Sequence, residues 1–557
     1  MNSSSSLPYY RPDPAMPVPE PSARLAAKRV RAMLDQAATL GITTGGIAVI
    51  LSILGIFVYL LLEVLPLFYP ATVTPLAQIS IPSVQSTRGI AVGVDEYLEV
   101  AYVLHDGQIE FLSLASDQPH LMQSIPLPDS ITTVGRSAGR DHMLGLGTTQ
   151  GTVIPVTITY QVAYDEQRRS ISPHVTVDEP LLIDPAHGPI VVLAYQKLDE
   201  GSVIAAVTED GRLWVAKVQM ANGLLAMLEE EGREGKEILR SEVVEKPAEP
   251  ITALLLNQAG DTMVVGTQQG RLVYYDIADV EAPRVLSDTM AGNTAITALA
   301  YLVGDRSIVV GTQRGDVEVW MPFRNLSAQR DLWLAKVRAF SPHSGAVTSI
   351  APSQRNKGFV TADSLGTVAL HYSTSHRTLL TIPGSGRPVP ALLMAPKGNG
   401  IVTVTDDGEF HAYALDNPHP EVTLSTLFLP VLYEGYQEPL HMWQSSSGSD
   451  SFEPKFGLVP LIFGTFKGTL YAMLLATPLA LLGAIYTAMF MSPALRSVIK
   501  PVVELMAALP TVVLGFLAGL WFAPLLEKIF PAVSAMFLVL PLSVIIACLF
   551  WQLLPAS

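Results

Sequence analysis

GDTMVVGTQQGRLVYYDIAD (260–279) and DRSIVVGTQRGDVEVWMPF (305–323) are two copies of one pattern. Each has a β-branched apolar run, a tight turn ending in glycine, and a second run in which apolar and polar residues alternate. Alternation with period two marks a half-buried strand. Gly270 and Gly315 suit a short hairpin loop, which often needs a residue at positive φ. The pattern recurs in GSVIAAVTEDGRLWVAKVQ (201–219), NKGFVTADSLGTVALHYSTS (356–375) and GNGIVTVTDDGEFHAYALDN (398–417). Weaker copies are YLEVAYVLHDGQIEFLSLAS (97–116) and RDHMLGLGTTQGTVIPVTITY (140–160). The turn glycines are Gly107, Gly151, Gly211, Gly270, Gly315, Gly366 and Gly408.

Most copies follow another short apolar run, as in PITALLLNQ (250–258), AITALAYLV (295–303), AVTSIAPSQ (346–354) and PVPALLMAP (388–396). One strand after each hairpin would complete a four-stranded sheet in roughly 40–45 residues, the period of a propeller blade. The pattern resembles WD40-like repeats, without their signature Trp-Asp and Gly-His pairs. Seven copies predict a seven-bladed, all-β propeller over residues 72–443. Either 79–85 or 421–429 would supply the strand that closes the ring. EEEGREGKE (229–237) reads as an exposed insertion, and 444–455 as a polar linker.

Four windows lack acidic and basic residues and are long enough to cross about 30 Å of hydrocarbon: 36–62, 468–495, 505–526 and 529–557. Within a basic tail over 1–36, residues 1–22, rich in Ser, Pro and Tyr, read as disordered and 23–36 have a helix-forming composition that leads into the first transmembrane helix, 37–67. Arg24, Lys28, Arg29 and Arg31 precede the first window, and Arg496 and Lys500 lie between the second and third. The positive-inside rule puts these residues in the cytoplasm and the propeller outside it. Cys548 is the single cysteine, so no internal disulfide can form. The net charge of −15 argues against nucleic-acid binding.

No GxxxxGK[ST] or GxSxG signature is found in a suitable context, and no His/Cys spacing suits a metal. His105, His371 and His411 fall in or beside the hairpins and read as structural or surface residues. The chain reads as a non-enzyme that needs no cofactor. KPVVELMAALPTVVLG (500–515) is different: Glu504 and Pro510 interrupt an apolar run and call for polar or protein surroundings in a membrane.

Residues 456–524 resemble the permease subunits of bacterial phosphate ABC importers. The residues that carry the resemblance include Gly464, Thr465, Pro478, Glu504, Pro510, Thr511 and Gly515. Some permeases of that family carry a large exported insertion after the first helix, and this layout looks like that branch. The implied architecture is a multidomain membrane protein, with the propeller inserted between the first and second transmembrane helices of an α-helical ABC-importer permease. Residues 456–557 would supply three of its helices. The implied partners are a second permease subunit, a cytoplasmic ATPase dimer, an extracytoplasmic phosphate-binding protein and membrane lipid. The family's later coupling loop and substrate-path helix are not seen, so the chain looks like the N-terminal portion of a longer permease, with substrate-binding residues expected beyond Ser557.

The residues themselves support blander roles. Glu504 is expected at a helix start, favoured by the helix dipole, or in an ion pair with Arg496 or Lys500. Gly464, Gly468, Gly483, Gly515 and Gly519 would permit close helix approach. Thr465 and Thr511 would satisfy backbone or neighbouring helices. The alternative function is a membrane-anchored propeller acting as a receptor or assembly scaffold.

Overall fold

A computed structural model describes residues 21–84, 89–115, 119–127, 131–165, 168–220, 236–324, 332–449, 451–507, 509 and 511–553. The segment 1–20, most of the 229–237 insertion, Ala508 and Pro510 therefore lie outside the described residues. Two compact units are present, Met1–Leu461 and Ile462–Ser557.

Seven antiparallel sheets form a seven-bladed propeller in the first unit. Strand 1 of each blade is innermost, and strands 1 of successive blades pack side by side around the axis. Blade 1 runs Ala91–Val94, Val100–His105, Gln108–Ser113 and His120–Pro126. Blade 2 carries a long third strand, Thr152–Asp165, paired with both Arg168–Val177 and Leu181–Leu182. In blade 7, strands Ala391–Met394, Gly400–Val404 and Glu409–Asp416 are joined by Thr72–Ser80, which pairs antiparallel with Glu409–Asp416. The ring is thus closed by its own N-terminal strand. Neither segment considered for closure supplies this strand: 79–85 shares only Ile79 and Ser80 with it before a turn, and 421–429 holds a short helix, Leu424–Phe428, capped by Thr423.

All seven predicted glycines sit at the turns between strands 2 and 3, with φ from 70° to 93°. In blades 4, 5 and 7 a threonine begins the turn and its hydroxyl accepts from the amide just after the glycine. Arg271 to Thr267, Asp316 to Thr312 and Glu409 to Thr405 are each 3.0 Å. Asp363 does the same for Thr367 at 2.7 Å. Blade 1 is shorter, with a two-residue loop of Asp106 (φ 42°) and Gly107 (φ 79°), the left-handed pair that a tight hairpin requires.

The blades are clamped through bulges in strand 1. The register skips Thr252, Thr297 and Thr348, freeing each from the ladder. Each hydroxyl reaches a carbonyl of its own strand 2 and one of the next blade. Thr297 lies 3.2 Å from Gly311 O and 2.6 Å from Val347 O, and Thr252 and Thr348 repeat these distances. Thr132 makes the same clamp from blade 2 to blade 3. Gly311 leaves room for the next blade, since a Cβ there would come within 2.6 Å of Val347 Cγ1.

Between blades 5 and 6, side chains form a buried chain. His343 lies 3.3 Å from Asp363 and 2.7 Å from Thr361 Oγ1, which lies 2.9 Å from His371 Nε2. His371 Nδ1 meets Thr378 Oγ1 at 3.0 Å, and Phe359 stacks on its ring. Burial, with His343 adding to it, pushes the His371 imidazole down to about 3. His105 is also fully buried, and His411 stacks on Tyr413.

Thr297→Val is expected to lower stability by about 1–2 kcal/mol, because it removes a shared hydrogen bond without changing volume. Thr297→Ser should keep most of the stability, as read by denaturant midpoints of the purified protein. His371 is neutral in the fold, while the unfolded chain takes up its proton near pH 6.5. Stability should therefore fall as pH drops below 6.5 toward 3, by about 2 kcal/mol from this residue between pH 7 and 5. Melting temperatures across that range should fall less steeply in His371→Gln than in the native protein.

Candidate functional site

The predicted membrane residues lie on helices with little mutual packing. Three described helical runs are long and apolar enough to cross a membrane: Arg29–Phe68, Val459–Phe490 and Thr511–Trp551. The first belongs to the α-helix Pro21–Val64 and its 3₁₀ extension Leu65–Phe68. Residues 21–36 are therefore helical, in line with the helix-forming composition read over 23–36. Their composition, rich in Ala, Arg, Lys and Leu, favours that state. The third and fourth predicted windows do not form separate helices. Leu505–Ala507 ends the helix Pro493–Ala507, and one run continues from Thr511 through Glu527 and Lys528. Both charged residues are good helix formers, so they interrupt hydropathy without interrupting the helix.

Gly464, Thr465 and Pro478 fall within Val459–Ile485, and Thr511 and Gly515 within Thr511–Leu517. Thr465 contributes its carbonyl to the Thr469 hydroxyl at 2.8 Å. A Cβ built at Gly464, Gly468, Gly483, Gly515 or Gly519 would meet nothing within 4 Å. Their expected close approach is thus not made by any described part of this chain.

Glu504 departs from both bland expectations. It sits in the last turn of Pro493–Ala507, where the helix dipole disfavours a carboxylate. It is exposed, and no described residue forms an ion pair with it. Arg496 is engaged elsewhere: it donates to the carbonyls of Ala488 (2.7 Å) and Met491 (3.3 Å), capping the preceding helical segment. The sequence pattern does not mark the helix end at Ala507, and that end reverses the meaning of Glu504.

The predicted linker 444–455 is exposed and without regular structure over 445–449, as a linker would be, but its ends Gln444 and Lys455 pair and Glu453 is buried, so together with the residues from Val431 onward it belongs to a folded strap. Trp443–Gln444 pairs with Lys455–Phe456, and Leu458 N donates to Leu427 O at 2.8 Å. The strap covers loops of blades 5 and 6 and buries charge against them. Glu434 pairs with Lys357, which is 1% exposed, and accepts from Ser307. Burial raises the Glu434 carboxyl, opposed by Lys357. Glu453 accepts from Glu434 N at 2.9 Å and from Thr374. Arg338 donates to Leu432 O and Ser373, and burial lowers its guanidinium. Their partners lie far apart in sequence, so composition alone reads the segment as solvated.

Topology places both ends of the propeller on one face. The chain enters at Thr72, opposite Asp416, and leaves from Asp416 into the strap. This entry face carries the loops between strands 1 and 2 and between strands 3 and 4. The opposite face carries the seven glycine turns. Only residues 69–71 separate the first helical run from Thr72, and only 457–458 separate the strap's last strand from the helix Val459–Ile485.

No family model matches the chain. The chain is 40% identical over 65 residues to the probable ABC transporter permease protein YqgH of Bacillus subtilis (strain 168), a match covering 12% of this chain and 21% of that protein. The chain thus spans about a fifth of the length of the curated relative it matches. The propeller is similar to that of Cps50 (Swd1) from Myceliophteria thermophila, at 14% identity and TM-score 0.43, covering 61% of this chain and 99% of that one. A chain of the mitotic checkpoint complex gives the same identity and TM-score, with 91% of it covered. A seven-bladed propeller joined to apolar helices with an ABC-permease-like stretch is therefore the class of molecule established here.

Lys357→Met should destabilise the propeller by about 3–5 kcal/mol, because it leaves Glu434 buried without its counter-charge. Adding Glu434→Leu should recover much of that loss. A double-mutant cycle on denaturant midpoints reads both outcomes.

Proposed function

We propose that this chain is a permease subunit of an ATP-driven phosphate importer, with its propeller exported between the first and second membrane-spanning helices. The 65-residue similarity to an ABC permease carries this reading. Glu504 adds to it: a carboxylate at the unfavourable end of a helix, without an ion-pair partner among the described residues, contributes nothing evident to the stability of an inert anchor. Pro478, Pro531 and Pro541 inside the apolar helices likewise suit helices that pack against other subunits. The second permease, the ATPase dimer and the phosphate-binding protein are the partners this role requires. Import would follow alternating access, driven by the ATPase on the cytoplasmic side.

The second reading is a membrane-anchored propeller that serves as a receptor or assembly scaffold. The size of the propeller relative to the helices favours it. Phosphate uptake by cells carrying or lacking the gene for this chain separates the two. The importer reading expects uptake to fall at least tenfold on deletion and severalfold in Glu504→Gln. Uptake unchanged by both would contradict it and leave the scaffold.

A further inference from the structure

The short helix Leu424–Phe428 turns the wrong side outward for a domain in water. Thr423 and Thr426 are buried and cap each other: Thr426 N donates to Thr423 Oγ1 at 3.0 Å, and Thr423 N to Thr426 Oγ1 at 2.9 Å. This box fixes the rotation of the helix. Ser375, in the loop between strands 3 and 4 of blade 6, donates to Pro420 O at 2.9 Å and holds the helix on the entry face. Leu424 and Leu429 are left 68% and 59% exposed, and Phe428 46%. Single exposed leucines are ordinary, but a contiguous apolar patch marks an interaction surface.

The strap extends the patch. Trp443 is exposed and meets Phe456 edge-on, with ring centroids 5.7 Å apart. Gly457 N donates to Met442 O and Leu458 N to Leu427 O, each at 2.8 Å. These bonds tie the helix and the Trp443–Phe456 pair to the two residues that precede Val459.

The length of the run that starts there says what covers the patch. Val459–Phe490 has 32 residues. At 1.5 Å per residue that is about 48 Å, close to the roughly 40–45 Å of hydrocarbon plus both headgroup layers. Its first turn falls in one headgroup layer when its last turn falls in the other. Lys467 then lies just inside the hydrocarbon, and its stem can carry the ammonium back to the headgroups. Tryptophan and other rings with an apolar body favour that depth. The other tether has the same character, with Phe68 and Tyr69 exposed where the first apolar run ends.

We propose that Leu424, Phe428, Leu429 and Trp443 form a lip that inserts at the boundary between lipid headgroups and acyl chains, seating the entry face on the bilayer. The contact is apolar, so it needs no particular headgroup and persists in high salt. It rests on Val459–Phe490 crossing a membrane and is independent of what is transported.

The full chain, in a Cys548→Ser background, is reconstituted into phosphatidylcholine bilayers with a nitroxide at Leu424→Cys or Phe428→Cys. Arg314→Cys, on the glycine-turn face, is the water reference, and Leu474→Cys, within Val459–Phe490, the lipid reference. Collision with oxygen reads lipid, and collision with a water-soluble nickel chelate reads water. Both patch positions are expected to show nickel accessibility severalfold below that of Arg314→Cys and oxygen accessibility severalfold above it, unchanged in high salt. Nickel accessibility equal to that of Arg314→Cys, with Leu474→Cys in lipid, overturns the seat and leaves the span. Low accessibility to both reagents means that a partner protein or a second copy covers the patch, and it overturns the lipid contact. Leu474→Cys reading water overturns span and seat together.

Discussion

The pairing of Thr72–Ser80 with Glu409–Asp416 is the constraint on which the rest depends. A propeller without closure leaves two exposed blade edges, and each inter-blade clamp then holds only a chain of sheets. With the first strand serving as the outer edge of the last blade, the ring is complete. Entry and exit are forced to one face, which makes a large domain compatible with insertion between two helices by very short tethers.

The clamps explain why the repeats look alike in sequence. A bulged threonine in strand 1, a small residue in strand 2 and a Thr- or Asp-initiated turn ending in glycine form one mechanical unit. Thr297, Gly311, Thr312 and Gly315 show it complete in a single blade. The threonine bridges two blades, the glycine admits the neighbour, and the turn threonine satisfies an amide. Where the unit is altered, other chemistry fills in. Asp363 replaces the turn threonine, and His343 and His371 build a buried network around it.

These local units were legible in the sequence because their residues lie within about 20 positions of one another and obey a period of two. The seven turns, the inner strands and the blade number all follow from that. Features that depend on distant partners were not legible. Thr374 and Glu453 are 79 residues apart, so 444–455 reads as a polar linker until folding brings them together. The closing strand, Thr72–Ser80, was missed apart from its last two residues, since pairing across more than 300 residues leaves no local mark. In the membrane region the helices were legible by composition, but their ends were not. Glu527 and Lys528 separated two windows that form one helical run, and the end at Ala507 moved Glu504 from an expected helix start to a helix finish. Hydropathy measures solvent preference, and helix ends depend on backbone and capping.

The account requires that the propeller and the N-terminal basic residues lie on opposite sides of one membrane. Single cysteines at Arg314, in an exposed turn of the glycine-turn face, and at Arg31, before the first apolar run, test this in a Cys548→Ser background. The measurement is labelling by a membrane-impermeant maleimide in sealed, right-side-out vesicles. The account predicts that Arg314→Cys labels at once and Arg31→Cys only after the vesicles are opened. Equal labelling of both before opening would contradict it.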